Sequence, residues 1–522
     1  MAGLGVAGGA TTMLSGRAAR AQDAATGGRP AYFDVRKFGA KGDGATVDSP
    51  AINSAIEAAA NAGGGTVLFP AGVYASYSIH LKSNVALYLQ QGATLLAAAT
   101  PYDGLASGGY DQAEPHGAGE PYQDYGHNHW HNSLIWGEDI HDFGIFGPGL
   151  IWGKGLSRGH NETTLPNVTA KGVGNKAIAL KNCRNAILSD FSILQGGWFG
   201  ILATGVDNLT IDNLKIDTNR DGIDIDCCRN VRVSNCTVNS PWDDAICPKS
   251  SFALGYARAT ENVTIANCYL TGAYELGSVL DGTWKLRGAN GRWGTGRIKC
   301  GTESNGGFKN ITIANCVFEK CHGFALETVD GAIMEDITIT GVTMRDVIAP
   351  FFLRLGARLR GPKPETVPGR LKRVLISNVT SSNAGALPSM IVGIPGHAVE
   401  DVKISDVYLE QVGGGGADLA GLQPAEKADA YPEPTMFGQL PATGWFVRHA
   451  KNVEMSNVEV ATMAEDARPV FHLEDVDGAD FFRVKMPGRE RQFRLKDVTD
   501  FRVFGCRHYA DQVVERTNEM RV

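Results

Sequence analysis

The chain has 522 residues, with 49 Lys and Arg against 56 Asp and Glu, for a formal net charge of −7. That balance excludes the global basic field that draws nucleic acid or an anionic membrane surface, and no segment offers the ~18 consecutive apolar residues of a membrane span. The 65 glycines, well above a usual share of about 7%, imply many tight turns rather than long helices.

In chain order, residues 1–22 (MAGLGVAGGATTMLSGRAARAQ) read as a signal or leader segment. A mildly apolar, Gly-rich run extends to Leu14, and Ala19-Arg20-Ala21 has the small-x-small form of a cleavage site, although no basic stretch precedes it. A disordered tail is the alternative. A leader would make the mature chain secreted or periplasmic. Residues 23–522 are expected to form a single domain.

SPAINSAIEAAANAGGG is expected to be a helix, with Ser49 at the N-cap, Pro50 at the first helical position and Gly63 at the stop. Ile52, Ala55, Ile56 and Ala59 recur at helical spacing as one apolar stripe, suited to plugging the end of a core.

From residue 185 one phrase recurs: NAILSDFSI, then NLTIDNLKI from Asn208, NVRVSNCTV from Asn230, NVTIANCYL from Asn262 and NITIANCVF from Asn310. DITITGVTM from Asp336, RVLISNVTS from Arg373, DVKISDVYL from Asp401 and NVEMSNVEV from Asn452 are looser copies. Self-similarity at about 22 to 26 residues, interrupted by insertions, is the mark of a solenoid. Each copy alternates, steps through a polar pair such as Ser234-Asn235, and alternates again, so two short strands meet at a bend with Val231, Val233, Cys236 and Val238 inward. A coil of that length is too short for a helical crossover and too long for a hairpin. The expected fold class is all-β, a single-stranded right-handed parallel β-helix capped by the N-terminal helix, with aligned Asn side chains bonding from coil to coil. Insertions at 99–132, 154–175, 281–296, 346–372 and 411–444 would form long rim loops over a groove.

Cys183, Cys236, Cys268 and Cys316 each follow an Asn at the same place in the phrase, where a small buried side chain is wanted, so stacked core thiols are expected. A Cys316–Cys321 bridge is the alternative. Cys227-Cys228 has no CxxC companion and matches no zinc pattern.

Asp221 and Asp243 are 22 residues apart, one coil, and should lie on neighbouring rungs separated by roughly 4.8 Å. Carboxylates that close cannot all ionise cheaply; one should keep its proton while a neighbour stays charged, the division needed between a general acid and a general base. Asp224 and Asp226 alternate with Ile223 and Ile225, and ordinary solvent-facing positions explain them. Asp243-Asp244 could instead be a turn pair after Pro241-Trp242, and a calcium cluster is a third reading.

These residues complete a pattern that resembles glycoside hydrolase family 28, the polygalacturonase-like β-helix enzymes, over nearly the whole chain from FDVRKFGAKGDGATVDSPAINSAI onward. Family members carry Asn-Thr-Asp-Gly, an Asp-Asp pair one coil later, Gly-His-Gly and then Arg-Ile-Lys. Here Asn219-Arg220-Asp221-Gly222 matches the first with Arg for Thr, Asp243-Asp244 the second and Arg297-Ile298-Lys299 the last. The resemblance implies Asp243 as general acid, with Asp221 and Asp244 holding and deprotonating the attacking water, and inversion at the anomeric centre, even though inverting pairs usually stand ~6.5–9.5 Å apart. Side-chain orientation is expected to widen the gap that rung spacing gives. Arg297 and Lys299, two apart on a strand, face one side and could clamp the carboxylate of a uronic acid, or could simply pair with the aspartates.

Where the family has Gly-His-Gly, this chain has Thr271-Gly272-Ala273 before Tyr274-Glu275, which puts homogalacturonan in question more than hydrolysis. Glu275 could stand in, a loop salt bridge being the simpler account. In YGHNHWHN, His127, His129 and His131 fall at strand parity; a metal could bind, but a rim loop offering His and Trp130 to a sugar ring is simpler. Glu327 is an additional groove carboxylate or half of a buried ion pair.

The leading expectation is an inverting glycoside hydrolase cleaving α-linked, galacturonic acid-containing pectic polysaccharide or oligosaccharide, of polygalacturonase or rhamnogalacturonan type, with exo-action as one option. It needs no metal or other cofactor, has the uronic acid-containing substrate as its partner, engages neither nucleic acid nor membrane, and acts as a monomer. A pectate-lyase-type β-eliminase and a non-catalytic carbohydrate-binding β-helix are the alternatives.

Overall fold

The computed structural model describes residues 32–99, 109–115, 117, 119–158, 168–288, 294–488 and 492–522. The expected leader at 1–22, and parts of the insertions at 99–132, 154–175 and 281–296, lie outside them. Tyr32–Val522 forms one compact unit.

One winding shows how the sequence builds the rest. Strands Phe199–Thr204, Asp207–Asp212 and Lys215–Asp217 are followed by Asp221–Asp226, Arg229–Ser234 and Thr237–Asn239. Each pairs in parallel with its counterpart one coil earlier, Ile201 opposite Ile223, Leu209 opposite Val231 and Ile216 opposite Val238. Three strands per coil, stacked this way, make the right-handed parallel β-helix the repeats imply. Val231, Val233, Cys236 and Val238 all enter the continuous apolar core, as their alternation requires. The last strand, Gln512–Arg521, runs antiparallel along Phe493–Phe504.

The recurring Asn is explained by its backbone. Asn185, Asn208, Asn230, Asn262 and Asn310 all hold φ between 54° and 58°, the left-handed region that Asn tolerates better than other side-chain-bearing residues. Their amides form a ladder up the stack: Asn208 donates to Asn185 at 2.9 Å, Asn230 to Asn208 at 3.2 Å, Asn262 to Asn230 at 3.1 Å and Asn310 to Asn262 at 3.1 Å.

The N-terminal helix spans Ser49–Asn61 and buries Ile52, Ala55, Ile56 and Ala59 in the core. Its cap differs from expectation. Asp48, not Ser49, occupies the N-cap position and makes no side-chain cap bond. The Asp48 carboxylate accepts instead from the backbone N–H groups of Lys41 at 2.7 Å and Gly42 at 2.9 Å, while Ser49 Oγ accepts from Tyr77 N–H at 2.7 Å. Both polar side chains tie the helix to its surroundings rather than to its own first turn. All ten cysteines are buried free thiols, so the alternative Cys316–Cys321 bridge does not form; burial pushes Cys321 up to about 12.

Candidate functional site

The first strands of successive coils, including Asp221–Asp226, Ile246–Lys249, Ile298–Cys300 and Phe324–Thr328, form one parallel ladder. Ile223, Ile225, Ile246, Ile298, Cys300 and Leu326 point into the core. Alternation therefore turns Asp224, Asp226, Lys249, Arg297, Lys299 and Glu327 outward, onto a face that the rim loops then cover. Asp224 and Asp226, expected at solvent-facing positions, are instead fully buried. Asp226 is satisfied by Ser251, whose N–H and Oγ–H donate at 2.8 and 2.6 Å. Asp224 faces His127 Nε2 and Lys249 Nζ, each at 3.7 Å.

Asp221, Asp243 and Asp244 come together. The Asp244 backbone N–H donates to Asp221 Oδ1 at 3.0 Å across one coil, and to Asp243 Oδ1 at 3.2 Å. One carboxylate oxygen from each of the three lies within 4.8 Å of the others. Side-chain orientation thus does not open the gap to the range usual for inverting pairs. Gly222 permits this close stacking: a Cβ there would lie 2.5 Å from the Ala245 carbonyl oxygen of the next coil.

The three differ in access and in charge. Asp221 and Asp244 are buried, whereas the Asp243 side chain is 22% exposed. Burial, reinforced by the charges of Asp224 and Asp243, pushes Asp221 well above the ordinary carboxylate range. Burial acts on Asp244 in the same direction, but Lys299 and Arg297 overcome it and hold that group below its usual value. Neighbouring carboxylates are thus driven apart in proton affinity, although the one driven up is Asp221.

Each member of the group meets a cation. Arg220, which stands where the family pattern has Thr, reaches Asp243 Oδ2 through Nη2 at 2.8 Å and Nε at 3.1 Å, its guanidinium 4.7 Å from the Trp198 ring. Lys249 Nζ lies 3.8 Å from Asp221 and 3.2 Å from Glu303. Arg297 Nε donates to Asp244 Oδ1 at 2.8 Å, and Lys299 pairs with Asp244 Oδ2. The positive charge a calcium ion would bring to these carboxylates is therefore already supplied by side chains.

Arg297 and Lys299 share a face, as their spacing requires, but they are 0% and 2% exposed. They lie beneath the groove floor, paired with the aspartates, rather than forming an open clamp. Arg297 Nη2 also binds Glu433 Oε1 at 2.8 Å and stands 4.0 Å from Glu327. Burial pushes Glu327 up to about 8, against Arg297 and Lys299. Fully buried, it is not the open groove carboxylate considered from sequence, and at 4.0 Å from Arg297 it makes at most a long-range pair.

The His-rich loop departs from expectation. Tyr125–Asn128 is a short helix, so strand parity does not apply. Trp130 is buried, its indole N–H donating to Thr204 Oγ1 at 3.1 Å and its ring 4.4 Å from the Lys181 ammonium, so it is not a sugar platform. His129 Nδ1 lies 2.9 Å from the Tyr125 carbonyl oxygen, and His131 pairs with Glu138 at 2.7 Å. Glu114, His131 and Glu138 could together hold a cation, but the Lys181 ammonium already sits 2.8 Å from Glu138. Glu275 forms the loop salt bridge, with Lys285 at 2.7 Å. Trp242 is the exposed aromatic beside Asp243, 49% exposed, with the Arg158 and Arg287 guanidinium groups 5.2 and 4.9 Å from its ring.

Residues 32–246, which include all three aspartates but neither Arg297 nor Lys299, match a family model described as rhamnogalacturonase A/epimerase, pectate lyase-like. A probable polygalacturonase of Vitis vinifera is 24% identical over 342 residues, 60% of this chain and 61% of that protein. The mannuronan C5-epimerase AlgE1 of Azotobacter vinelandii is 62% identical over 45 residues, 9% of this chain and 3% of that protein. The chain thus spans less than two thirds of either relative. An exopolygalacturonase structure from Thermotoga maritima, 18% identical, superposes with a TM-score of 0.61 over 83% of this chain and 92% of that one, a likeness of fold. The chain resembles the polygalacturonase-like β-helix proteins of glycoside hydrolase family 28.

Proposed function

We propose that this polygalacturonase-like chain is an inverting glycoside hydrolase that cleaves α-glycosidic bonds of a galacturonic acid-containing pectic polysaccharide or oligosaccharide. The observation that carries the reading is the Asp221–Asp243–Asp244 group, gathered from two coils, in which Asp243 alone keeps an exposed edge while Asp244 is held ionised by Lys299 and Arg297.

In this reading the general-acid role toward the departing glycosidic oxygen falls, as the resemblance implies, to Asp243, the member that reaches the groove. Asp244, kept ionised by Arg297 and Lys299, takes a proton from the attacking water, and Asp221 orients that water as a hydrogen-bond partner. Arg297 and Lys299 act through Asp244. Inversion rests on the resemblance rather than on carboxylate separation. Action outside the cytoplasm on a cell-wall polymer, by a monomer, belongs to the same proposal.

Elimination of the pectate-lyase type is less well supported, because it would call on calcium at carboxylates that already face Arg220, Lys249, Arg297 and Lys299. The test is a panel of defined pectic oligosaccharides incubated with the wild type and with Asp243→Asn. Release of saturated products with new reducing ends by the wild type, reduced at least a hundredfold in the variant, is expected. Unchanged turnover in the variant would refute the assignment.

A further inference from the structure

The sugar that would sit over Arg297 and Lys299 meets no uncompensated cation there. Arg297 is closed off from both sides, by Asp244 Oδ1 and by Glu433 Oε1 at 2.8 Å each, and Lys299 is paired to the other Asp244 oxygen. Two cations therefore face two carboxylates held ionised by them: Asp244, and Glu433, which burial would raise but which Arg297, His322 and Lys299 hold at about 2. Glu327, 4.0 Å from Arg297, adds no positive charge in any protonation state.

Glu433 comes from the 411–444 insertion, just before the turn Pro434–Phe437, and its side chain remains 28% exposed. From the same insertion, Tyr431 is 50% exposed, with the Arg358 guanidinium 5.8 Å from its ring. Arg358 is itself paired with Asp330. What this loop presents beside the buried cations is thus a phenol ring and a carboxylate edge. An incoming carboxylate would approach Glu433 and Asp244, whose neighbouring cations Arg297 and Lys299 are already paired with them, whereas a neutral ring could lie on the tyrosine.

We propose that Glu433 is a specificity-determining residue: its ion pair with Arg297 makes the subsite over Arg297 and Lys299 one for an uncharged sugar. The negative sign of Glu433 works as a repulsive element against a uronate at that position. This rests on the hydrolytic reading above, and it narrows the substrate to one in which the sugar leaving from, or flanking, the cleaved galacturonosyl bond is neutral.

The experiment uses pairs of oligosaccharides built on whichever galacturonosyl linkage the wild type cleaves fastest, identical except that the leaving sugar is galacturonate in one and its carboxyl-reduced, neutral counterpart in the other. The wild type is expected to show kcat/KM at least tenfold higher for the neutral member. Glu433→Gln, nearly isosteric and still able to accept from Arg297, is expected to shrink that ratio at least tenfold, through a lower KM for the galacturonate member. A wild-type preference for the galacturonate member would overturn the inference even if Glu433→Gln did not fold, and so would a ratio unmoved by a folded Glu433→Gln. Failure of the wild type to cleave any linkage would instead overturn the hydrolytic reading, and this inference with it.

Discussion

The backbone N–H of Asp244 donates to the Asp221 carboxylate at 3.0 Å, joining two neighbouring coils inside the candidate site. Asp221 thereby serves two purposes, and a neutral isostere separates them. Because its folded-state proton affinity is raised, Asp221 costs stability once pH exceeds the value at which the unfolded chain ionises, and the cost grows until pH reaches the folded value. Asp221→Asn keeps an acceptor for Asp244 and cannot ionise. It is expected to hold or raise Tm at pH 7 while lowering kcat at least tenfold, read by calorimetry and by reducing-end assay.

Lys299 separates clamp from support. Removing it leaves the fully buried Asp244 with Arg297 as its remaining close cation, and breaking a buried pair typically costs about 3–5 kcal/mol. Lys299→Ala is therefore expected to lower Tm by several degrees and to reduce kcat as well as raise KM. A rise in KM alone, at unchanged Tm, would return Lys299 to the role of an open substrate clamp.

Glu327 sets a slope in pH. Its folded value is raised from 4.5 to about 8, so the folded chain holds a proton that the unfolded chain releases across that interval. Stability from this group is complete below about pH 4.5 and is lost as pH rises toward 8, at up to about 1.4 kcal/mol per pH unit. Glu327→Gln should flatten this limb of the stability curve, measured by urea unfolding at pH 5, 6, 7 and 8. Glu433 and Asp244, both depressed, act in the opposite sense and lose their contribution below about pH 4. A limb unchanged in Glu327→Gln would mean that Glu327 is ionised in the fold.

The asparagine ladder makes a prediction about stability alone. Asn230 holds φ 58° while donating to Asn208 and accepting from Asn262. Asn230→Ala should lose both bonds and strain a left-handed residue, costing roughly 1–3 kcal/mol. Asn230→Gly loses the bonds but not the backbone conformation and should cost less. Equal losses would place the whole effect in the amide ladder.

These contrasts mark how far the sequence could be read. The repeats gave the coil, because alternating apolar residues interrupted by a left-handed Asn have few other solutions, and a 22-residue offset was enough to bring Asp221 beside Asp243. Parity also oriented Arg297 and Lys299 correctly. What parity cannot give is what lies above a strand. Glu433, 136 residues from Arg297, sits in a non-repeating insertion, so no period announces that it will cover the cation and bury it. The same limit explains Asp224 and Asp226, which alternation alone places at solvent-facing positions and which are fully buried. Lys249 and Glu303 carry no signal in the repeats because each lies outside the recurring phrase, although Lys249 does share strand parity with Cys247. The rule for helix caps points to Ser49, but Asp48 takes the cap position and the Ser49 hydroxyl accepts from Tyr77 N–H instead.

The central claim is hydrolysis by the three-aspartate group, and product chemistry in H2(18)O tests it most directly. The wild type acting on a defined pectic oligosaccharide should place one 18O at the newly formed reducing end, with no new double bond, and Asp243→Asn should abolish that incorporation at unchanged Tm. An unsaturated, unlabelled product from the wild type, or full labelling by Asp243→Asn, would contradict it.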